Sequence, residues 1–170
     1  GGEGTLEAAL AAGYSSVPVT VSGPTGAPVA SAYAYRDGSA VVELADACGL
    51  QRLVDGTPAP LTASSRGAGE VIRAAIEDGR RDIVLGVGGS ASTDGGTGRL
   101  TALGARFLDH QGEPLPGGGG ALRRLARIDL TGLHPALAEC RFTLASDVTN
   151  PLLGPTGTVN VFAAQKGSTH

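Results

Sequence analysis

An apolar run that opens directly into a glycine-rich loop is the feature that most restricts how this chain can fold. Residues 82–87 read DIVLGV, which is typical of a strand buried on both faces. Residues 88–96 read GGSASTDGG, and the pattern then predicts a helix over 97–103. Such a strand–loop–helix unit indicates an α/β protein, in which ligands bind beyond the carboxyl ends of parallel strands.

The rest of the chain continues the alternation of helix and strand. Residues 5–13 form a predicted helix with Thr5 as its N-cap and Gly13 as its C-cap. A second helix begins within residues 64–70, where Ser64 or Ser65 could cap it, and ends near Asp78. Further strands are predicted at 17–21, 29–35, 40–44, 105–108 and 141–145, with a hairpin turn at Asp37-Gly38. We therefore predict one α/β domain over 1–170, with a mixed or mostly parallel sheet and flanking helices.

Composition and charge exclude several classes of protein. Hydrophobic residues make up 41% of the chain and no apolar run approaches the roughly 20 residues of a membrane span, so we expect neither disorder nor a membrane partner. The net charge is −3, and only three Tyr and three Phe are present, which argues against a nucleic-acid partner. Cys48 and Cys140 show no CxxC spacing and are predicted to be buried, reduced thiols of a cytoplasmic protein.

The loop at 88–96 is the strongest candidate site. Its glycines, namely Gly88, Gly89, Gly95 and Gly96, allow close approach of the backbone to a ligand, and Ser90 adds a hydroxyl. Amides at the start of the following helix would attract phosphate or carboxylate. Asp94, the carboxylate of this loop, could act as a general base, bind magnesium or cap the helix, and the local pattern does not choose between these roles.

Two further loops combine small polar residues with a strand end or a helix start. Ser65 and Arg66 could bind an anion, although an ordinary capped helix start explains the same residues. Asp147, Thr149 and Asn150 follow a predicted strand and form a reasonable set of ligands for magnesium or a sugar alcohol, while a turn before proline is the simpler alternative.

Familiar nucleotide and hydrolase motifs are missing or weak. Lys166 lies in Gln-Lys-Gly and not in a GxxxxGK[ST] sequence, so a P-loop is excluded, and no GxSxG motif supports a serine hydrolase. Residues 86–91 approximate a dinucleotide fingerprint, but Asp109 is a poorly placed ribose ligand. A nicotinamide-dependent oxidoreductase therefore ranks last, below a non-catalytic module that binds small acids or other anions.

Four ordered motifs resemble the class I glycerate kinases. Residues 1–5 (GGEGT) match the end of a DGGEGT motif, 88–96 are similar to GGSATNDGG, and 147–154 (DVTNPLLG) and 165–167 (QKG) match two later segments. The resemblance extends over the whole chain. This sequence departs from the family at Ser92-Thr93, where Thr-Asn is usual, and at Arg66, where Tyr is usual, which bears on how the acid end of a substrate would be held.

The resemblance implies ATP-dependent phosphorylation of D-glycerate, with the 2-position favoured. It implies that Asp94 and Lys166 are catalytic, that Asp147 binds Mg²⁺, and that substrate or phosphate is held by Gly88, Gly89, Ser90, Gly95, Gly96, Ser65, Arg66, Thr149 and Asn150. The chain has no methionine and lacks the Ser-Phe-Lys-Gly and Gly-Glu-Gly-Arg-Leu-Asp motifs of the family. We therefore expect it to be the central part of a larger two-domain kinase, with the rest of that polypeptide as its partner.

Overall fold

The computed structural model describes residues 2–168, which form an α/β fold around a five-stranded mixed sheet in the order β1-β2-β3-β4-β7. The strands are β1 (Ser15–Ser22), β2 (Pro28–Arg36), β3 (Ser39–Glu43), β4 (Asp82–Gly86), β5 (Arg106–Leu108), β6 (Arg127–Asp129) and β7 (Arg141–Ala145). The α-helices are α1 (Thr5–Ala11), α2 (Leu44–Cys48), α3 (Arg66–Glu77), α4 (Thr97–Ala102) and α5 (Thr158–Phe162). The predicted mixed sheet with flanking helices is confirmed.

The sheet has an antiparallel half and a parallel half. Strands β1, β2 and β3 form a meander, and the predicted hairpin joins β2 to β3 with Arg36 opposite Ser39. Asp37 in this turn has φ 53°, a left-handed conformation that Asp tolerates better than most residues. Strands β3, β4 and β7 are parallel, with Glu43 opposite Gly86 and Gly86 opposite Ala145. The carboxyl ends of these three strands therefore meet at one edge of the sheet.

The main core lies between α3 and one face of the sheet. Val71, Ile72, Ala75 and Ile76 form the buried face of α3, as their helical spacing predicts, and pack with residues of the central strands such as Ile83. The Tyr33 hydroxyl donates a hydrogen bond to Asp78 at the end of α3. Burial, followed by this hydrogen bond, raises the pKa of Tyr33 to about 12. This bond ties the antiparallel half of the sheet to the helix.

Helix α4 is held directly against α3 by a glycine. A Cβ atom added to Gly69 would lie 2.3 Å from the backbone oxygen of Arg99 and 2.8 Å from the Cβ of Ala102. Only a residue without a side chain lets the two helices approach this closely. Since the loop at 88–96 ends where α4 begins, this helix contact also sets the position of the loop.

The small elements after α4 lie outside the main sheet. Strands β5 and β6 pair antiparallel, with Phe107 opposite Ile128, and two 3₁₀ helices cover Gly119–Arg124 and Pro135–Glu139. The sequence predicted β5 but missed β6, because Arg-Ile-Asp holds one apolar residue between two charged ones and gives too little alternation to indicate a strand.

Two of three local predictions differ from the structure, and the third is confirmed. The N-cap of α1 is Gly4, with φ 84°, and the Thr5 hydroxyl donates instead to the Gly2 carbonyl. Helix α3 begins at Arg66 with Ser65 as its N-cap residue, as the capped helix start of the second candidate loop predicts, and the glycines of its first turn pack against neighbouring backbone. Leu44 begins α2 and does not end β3.

The sequence predicted two buried, reduced cysteines and no membrane-spanning segment. Cys48 and Cys140 are free thiols, as expected; Cys48 is buried, which raises its pKa to about 12, whereas Cys140 is only half-buried. His110 is exposed and His134 half-buried, whereas His170 and Gly1 of the first motif lie outside the described residues. Within residues 2–168 no helix is long and apolar enough to cross a membrane.

Gly69→Ala is expected to destabilise the fold. The new methyl group would force α3 and α4 apart, at a typical cost of about 1–3 kcal/mol that exceeds the ~1 kcal/mol gained in helix propensity. Urea unfolding measures the difference. Gly38→Ala is the matched control, because a Cβ atom there meets nothing within 4 Å and φ is not left-handed. Equal unfolding midpoints for Gly69→Ala and the unmodified chain would contradict this role.

Candidate functional site

A cleft of about 680 Å³ lies where the parallel strands end. Its walls come from the loop after β4, the first turns of α3 and α4, the segment after β7, and α5 with the turn that follows it. The predicted site residues on its lining are Ser65, Gly88, Gly89, Ser90, Asp94, Gly95, Gly96, Asp147 and Lys166. The structure thus brings together residues from all three candidate loops.

The loop at 88–96 presents unused backbone donors. Its first part is anchored by hydrogen bonds from the Leu50 amide to the Gly89 carbonyl and from the Ala91 amide to the Cys48 carbonyl, both 3.0 Å. Among the described residues, no hydrogen bond uses the amides of Gly88, Gly89 or Gly95. Gly89 and Gly95 have φ 72° and 60°, which glycine adopts without strain. Unpaired amides in such a loop are suited to binding an anion.

Asp94 lies at the centre of the site and is 1% exposed. Its Oδ2 accepts hydrogen bonds from the Ser65 amide (2.8 Å), the Ser65 hydroxyl (2.9 Å) and the Gly98 amide (3.1 Å). Its Oδ1 accepts one bond, from the Gly96 amide at 3.0 Å. The carboxylate therefore caps the start of α4 and joins this helix to the beginning of α3.

Ser65 extends this network. While its hydroxyl donates to Asp94, the same oxygen accepts a 3.0 Å hydrogen bond from the Arg99 amide. Ser65 is 2% exposed, so both bonds are shielded from water. The Ser64 hydroxyl lies 3.4 Å from Asp94 Oδ2 and adds a weaker contact. Hydrogen bonds therefore join the first and second candidate loops into one unit. The sequence did not predict this contact, because Ser65 and Asp94 are 29 positions apart.

Lys166 approaches the glycine-rich loop from the far end of the chain. Its Nζ donates a 2.6 Å hydrogen bond to the Ser92 carbonyl. Burial lowers the pKa of Lys166, and the negative charge of Asp94 partly opposes that shift. The result is a partly desolvated cation on the cleft wall, beside the loop with unused amides.

Of the three predicted ligands in the third candidate loop, only Asp147 lies on the lining of the cleft. Asp147 is exposed and lines the cleft, but Thr149 and Asn150 do not lie on its lining. The Asn150 side-chain amide donates a 2.9 Å hydrogen bond to the Thr156 carbonyl, which braces the loop internally. This bond matches the turn interpretation of Asn150 more closely than a ligand role.

Arg66 faces a different space. It lines a second cavity of about 310 Å³ and is paired with Glu70 through a 2.9 Å ion pair within α3. The buried Ser65–Asp94 contact lies near both cavities, since Ser64 and Gly98 line the smaller one while Ser65 and Asp94 line the cleft. The structure therefore separates Arg66 from the other predicted anion-binding residues.

Two polar residues at the site were missed by the sequence reasoning. Arg99, in α4, lines the cleft. Glu43, at the end of β3, is 5% exposed and accepts hydrogen bonds from the amides of Gly4 and Leu6, which hold the N-terminal segment beside the cleft. Arg99 lies three residues after the glycine motif, so its position next to the motif could have identified it. For Glu43 the sequence shows only a single charged residue at the end of an apolar run.

The donor set for a metal ion is sparse. Within residues 2–168 no group of three or more His, Cys, Asp or Glu side chains could hold a metal. Asp94 is occupied by N–H and O–H donors, and Asp147 is the second carboxylate among the described residues of the cleft lining. Magnesium is commonly bound by one or two carboxylates together with substrate phosphates and water. The residues therefore fit a magnesium ion that arrives with a phosphate ligand, and not a resident metal centre.

Fold and site together define an α/β protein with a cleft, lined by unused backbone amides, at the carboxyl ends of its parallel strands. The model of the glycerate kinase family matches residues 1–170. The chain is 43% identical to glycerate kinase of Bacillus subtilis (strain 168) and 43% identical to glycerate 2-kinase of Escherichia coli (strain K12), in each case over 99% of this chain. It belongs to the glycerate kinase family, which confirms the resemblance of its four motifs.

A solved structure agrees in detail. The crystal structure of putative glycerate kinase 2 from Salmonella typhimurium LT2 superposes with a TM-score of 0.94 at 44% identity, covering 99% of this chain and 46% of that one. The chain likewise spans 45% of the length of the Bacillus and Escherichia relatives. The matched region is thus a little under half of each relative.

Asp94→Asn is expected to destabilise the protein by about 1–3 kcal/mol, because the amide group would set a donor against buried N–H and O–H donors. Urea unfolding followed by far-UV circular dichroism measures this change. Asp109→Asn is the control: its carboxylate accepts from the Gln111 and Glu113 amides in an exposed turn, where an asparagine oxygen can replace it. Equal effects of the two substitutions would show that Asp94 does not hold the loops together.

Proposed function

We propose that this chain forms the anion-binding part of a kinase cleft that phosphorylates D-glycerate with ATP, with the 2-position as the favoured acceptor. The observation that carries the proposal is the cleft itself, in which the unused amides of the 88–96 loop lie beside a partly buried lysine. The membership of the family and the name of the Escherichia relative, a glycerate 2-kinase, support the choice of reaction.

Phosphoryl transfer depends chiefly on positioning and on neutralising charge. In this proposal the amides of Gly88, Gly89 and Gly95 hold oxygens of phosphate or carboxylate, and the Ser90 hydroxyl adds a donor. Lys166 neutralises phosphate charge, and its hydrogen bond to the Ser92 carbonyl fixes the ammonium group next to the loop. Gly96, whose amide is bound by Asp94, shapes the turn rather than contacting the ligand.

Of the three roles that the sequence left open for Asp94, its hydrogen bonds favour the helix cap, to which we add the positioning of a substrate hydroxyl. Three donors converge on Oδ2, so this oxygen is engaged in holding the starts of α3 and α4 together. Oδ1 accepts a single bond, so it is the atom that can also accept a hydrogen bond from the glycerate hydroxyl. In our proposal Asp94 orients the acceptor hydroxyl and holds the two loops in register.

Asp147 would hold a magnesium ion that enters with ATP, since it is the exposed carboxylate of the cleft lining. When bound, magnesium would neutralise charge on the nucleotide phosphates. The remaining steps in the proposal, namely binding and orienting the two substrates, belong to the loop amides, Asp94 and Lys166.

We further propose that residues 1–170 form one α/β domain of a larger two-domain protein, whose other part completes the cleft. Strand β7 supports this view: Phe142 and Leu144 are 45% and 61% exposed, although β7 pairs with the central strand β4. Large apolar side chains exposed together mark surfaces that contact other protein. The free thiols of Cys48 and Cys140 favour a cytoplasmic protein.

Calorimetry and a kinase assay test the proposed function. The 170-residue chain is expected to bind Mg–ATP or D-glycerate, and the complete polypeptide to transfer phosphate to D-glycerate. Binding of glycerate or ATP without any transfer by the complete polypeptide would favour the non-catalytic anion-binding module instead. Binding of NAD in place of both ligands would favour the oxidoreductase that residues 86–91 suggested.

The lowered pKa of Lys166 predicts a specific pH dependence of binding. The ammonium group loses its charge at a lower pH than an ordinary lysine, so affinity for Mg–ATP should fall as pH rises through that lowered value. Calorimetric titrations between pH 6 and pH ~10 would follow the change. Lys166→Arg, which stays charged across this range, should flatten the profile. An identical pH profile in both proteins would remove Lys166 from the phosphate-binding role.

A further inference from the structure

Arg99 is a half-buried cation whose guanidinium has no partner in the part of the chain that the structure describes. Four arginines in the described part of the chain are half-buried: Arg52, Arg80, Arg81 and Arg99. The guanidinium groups of the first three donate to an oxygen of Asp46, Asp37 and Ile76, respectively. The guanidinium of Arg99 makes no hydrogen bond, ion pair or ring contact with residues 2–168.

The Arg99 side chain lies against the glycine-rich loop. A Cβ atom added to Gly96 would lie 3.2 Å from the Nη2 atom of Arg99, so the guanidinium occupies the space over this glycine. The Arg99 amide is fixed by the Ser65 hydroxyl at 3.0 Å, which ties the base of the side chain to the Asp94 network. The unused Gly95 amide is the next donor along the loop. Arg99 is therefore positioned over the loop and lines the 680 Å³ cleft.

The surroundings of Arg99 favour a ligand over an internal partner. The nearby carboxylate of Asp94 is already bound by Ser65, Gly96 and Gly98. The other charged side chains on the cleft lining are Asp147 and Lys166, and Lys166 donates to Ser92. A partly desolvated charge is unfavourable unless a counter-charge compensates it. A planar guanidinium with every N–H unused matches the two oxygens of a carboxylate or a phosphate.

We propose that Arg99 binds a substrate oxyanion directly, through the N–H groups of its guanidinium over the Gly95–Gly96 turn. The ligand is a phosphate group of ATP or the carboxylate of glycerate, which share this chemistry. Arg99 thereby adds a substrate-binding cation to Lys166, and its planar geometry selects an oxyanion with two oxygens in one plane. The inference deepens the proposed function and depends on it.

Substitution of Arg99 tests the inference by calorimetry on the 170-residue chain, with Mg–ATP and D-glycerate as separate probes. Arg99→Met keeps the length of the side chain and removes its charge, and should weaken one of the two ligands about ten- to a hundredfold. Arg99→Lys should recover only part of that loss, because an ammonium group cannot form the paired contact. The ligand whose affinity falls identifies the source of the oxyanion.

Arg124→Met is the matched control, because Arg124 is exposed, lies outside the cleft and has no partner within the described residues. It removes the same charge and should leave both affinities unchanged. Thermal unfolding of each variant checks that the fold persists. If the unmodified chain binds a ligand and Arg99→Met binds both probes equally well, the inference on Arg99 is overturned and the proposed function stands. If the unmodified chain binds neither probe, both are overturned.

Discussion

The geometry of the cleft depends on one buried negative charge. Asp94 is 1% exposed, and its burial is tolerable because amide and hydroxyl donors converge on it from the start of α3 and the start of α4. Each of these donors would itself be costly to bury without a partner. The Asp94 carboxylate and the donors around it therefore offset each other's cost of burial. Together they form a junction between two loops that are remote in sequence.

This junction works only because glycine brings the helices close together. Gly69 of α3 lies against the backbone of Arg99, and Gly98 of α4 would place a Cβ atom 2.2 Å from the Ser64 hydroxyl. Side chains at these positions would separate the donors from the carboxylate. Because the hydrogen bonds of Asp94 come from the protein itself, our proposal assigns the charge of a ligand to the two cations on the cleft lining, Lys166 and Arg99.

The parallel half of the sheet supplies the framework for this arrangement. Strands β3, β4 and β7 end together, so the segments after them converge on one cleft. The sequence predicted β4 and β7 with their following loops because both are short apolar runs bounded by polar or glycine residues. It missed α2, since Leu44 gains its helical conformation from packing that local preference does not record.

The sequence by itself determined the α/β class, the family and the importance of residues 88–96, because ordered glycine motifs and strand periodicity are local patterns. Only the tertiary structure decided which side chains share the cleft. It placed Asp94 and Lys166 on one cleft and Arg66, paired with Glu70, beside a separate cavity. Over Gly96 it placed the Arg99 guanidinium, which has no partner among residues 2–168. The reason is physical: hydrogen-bond satisfaction and close packing depend on distances between segments far apart in the chain, which no local pattern contains.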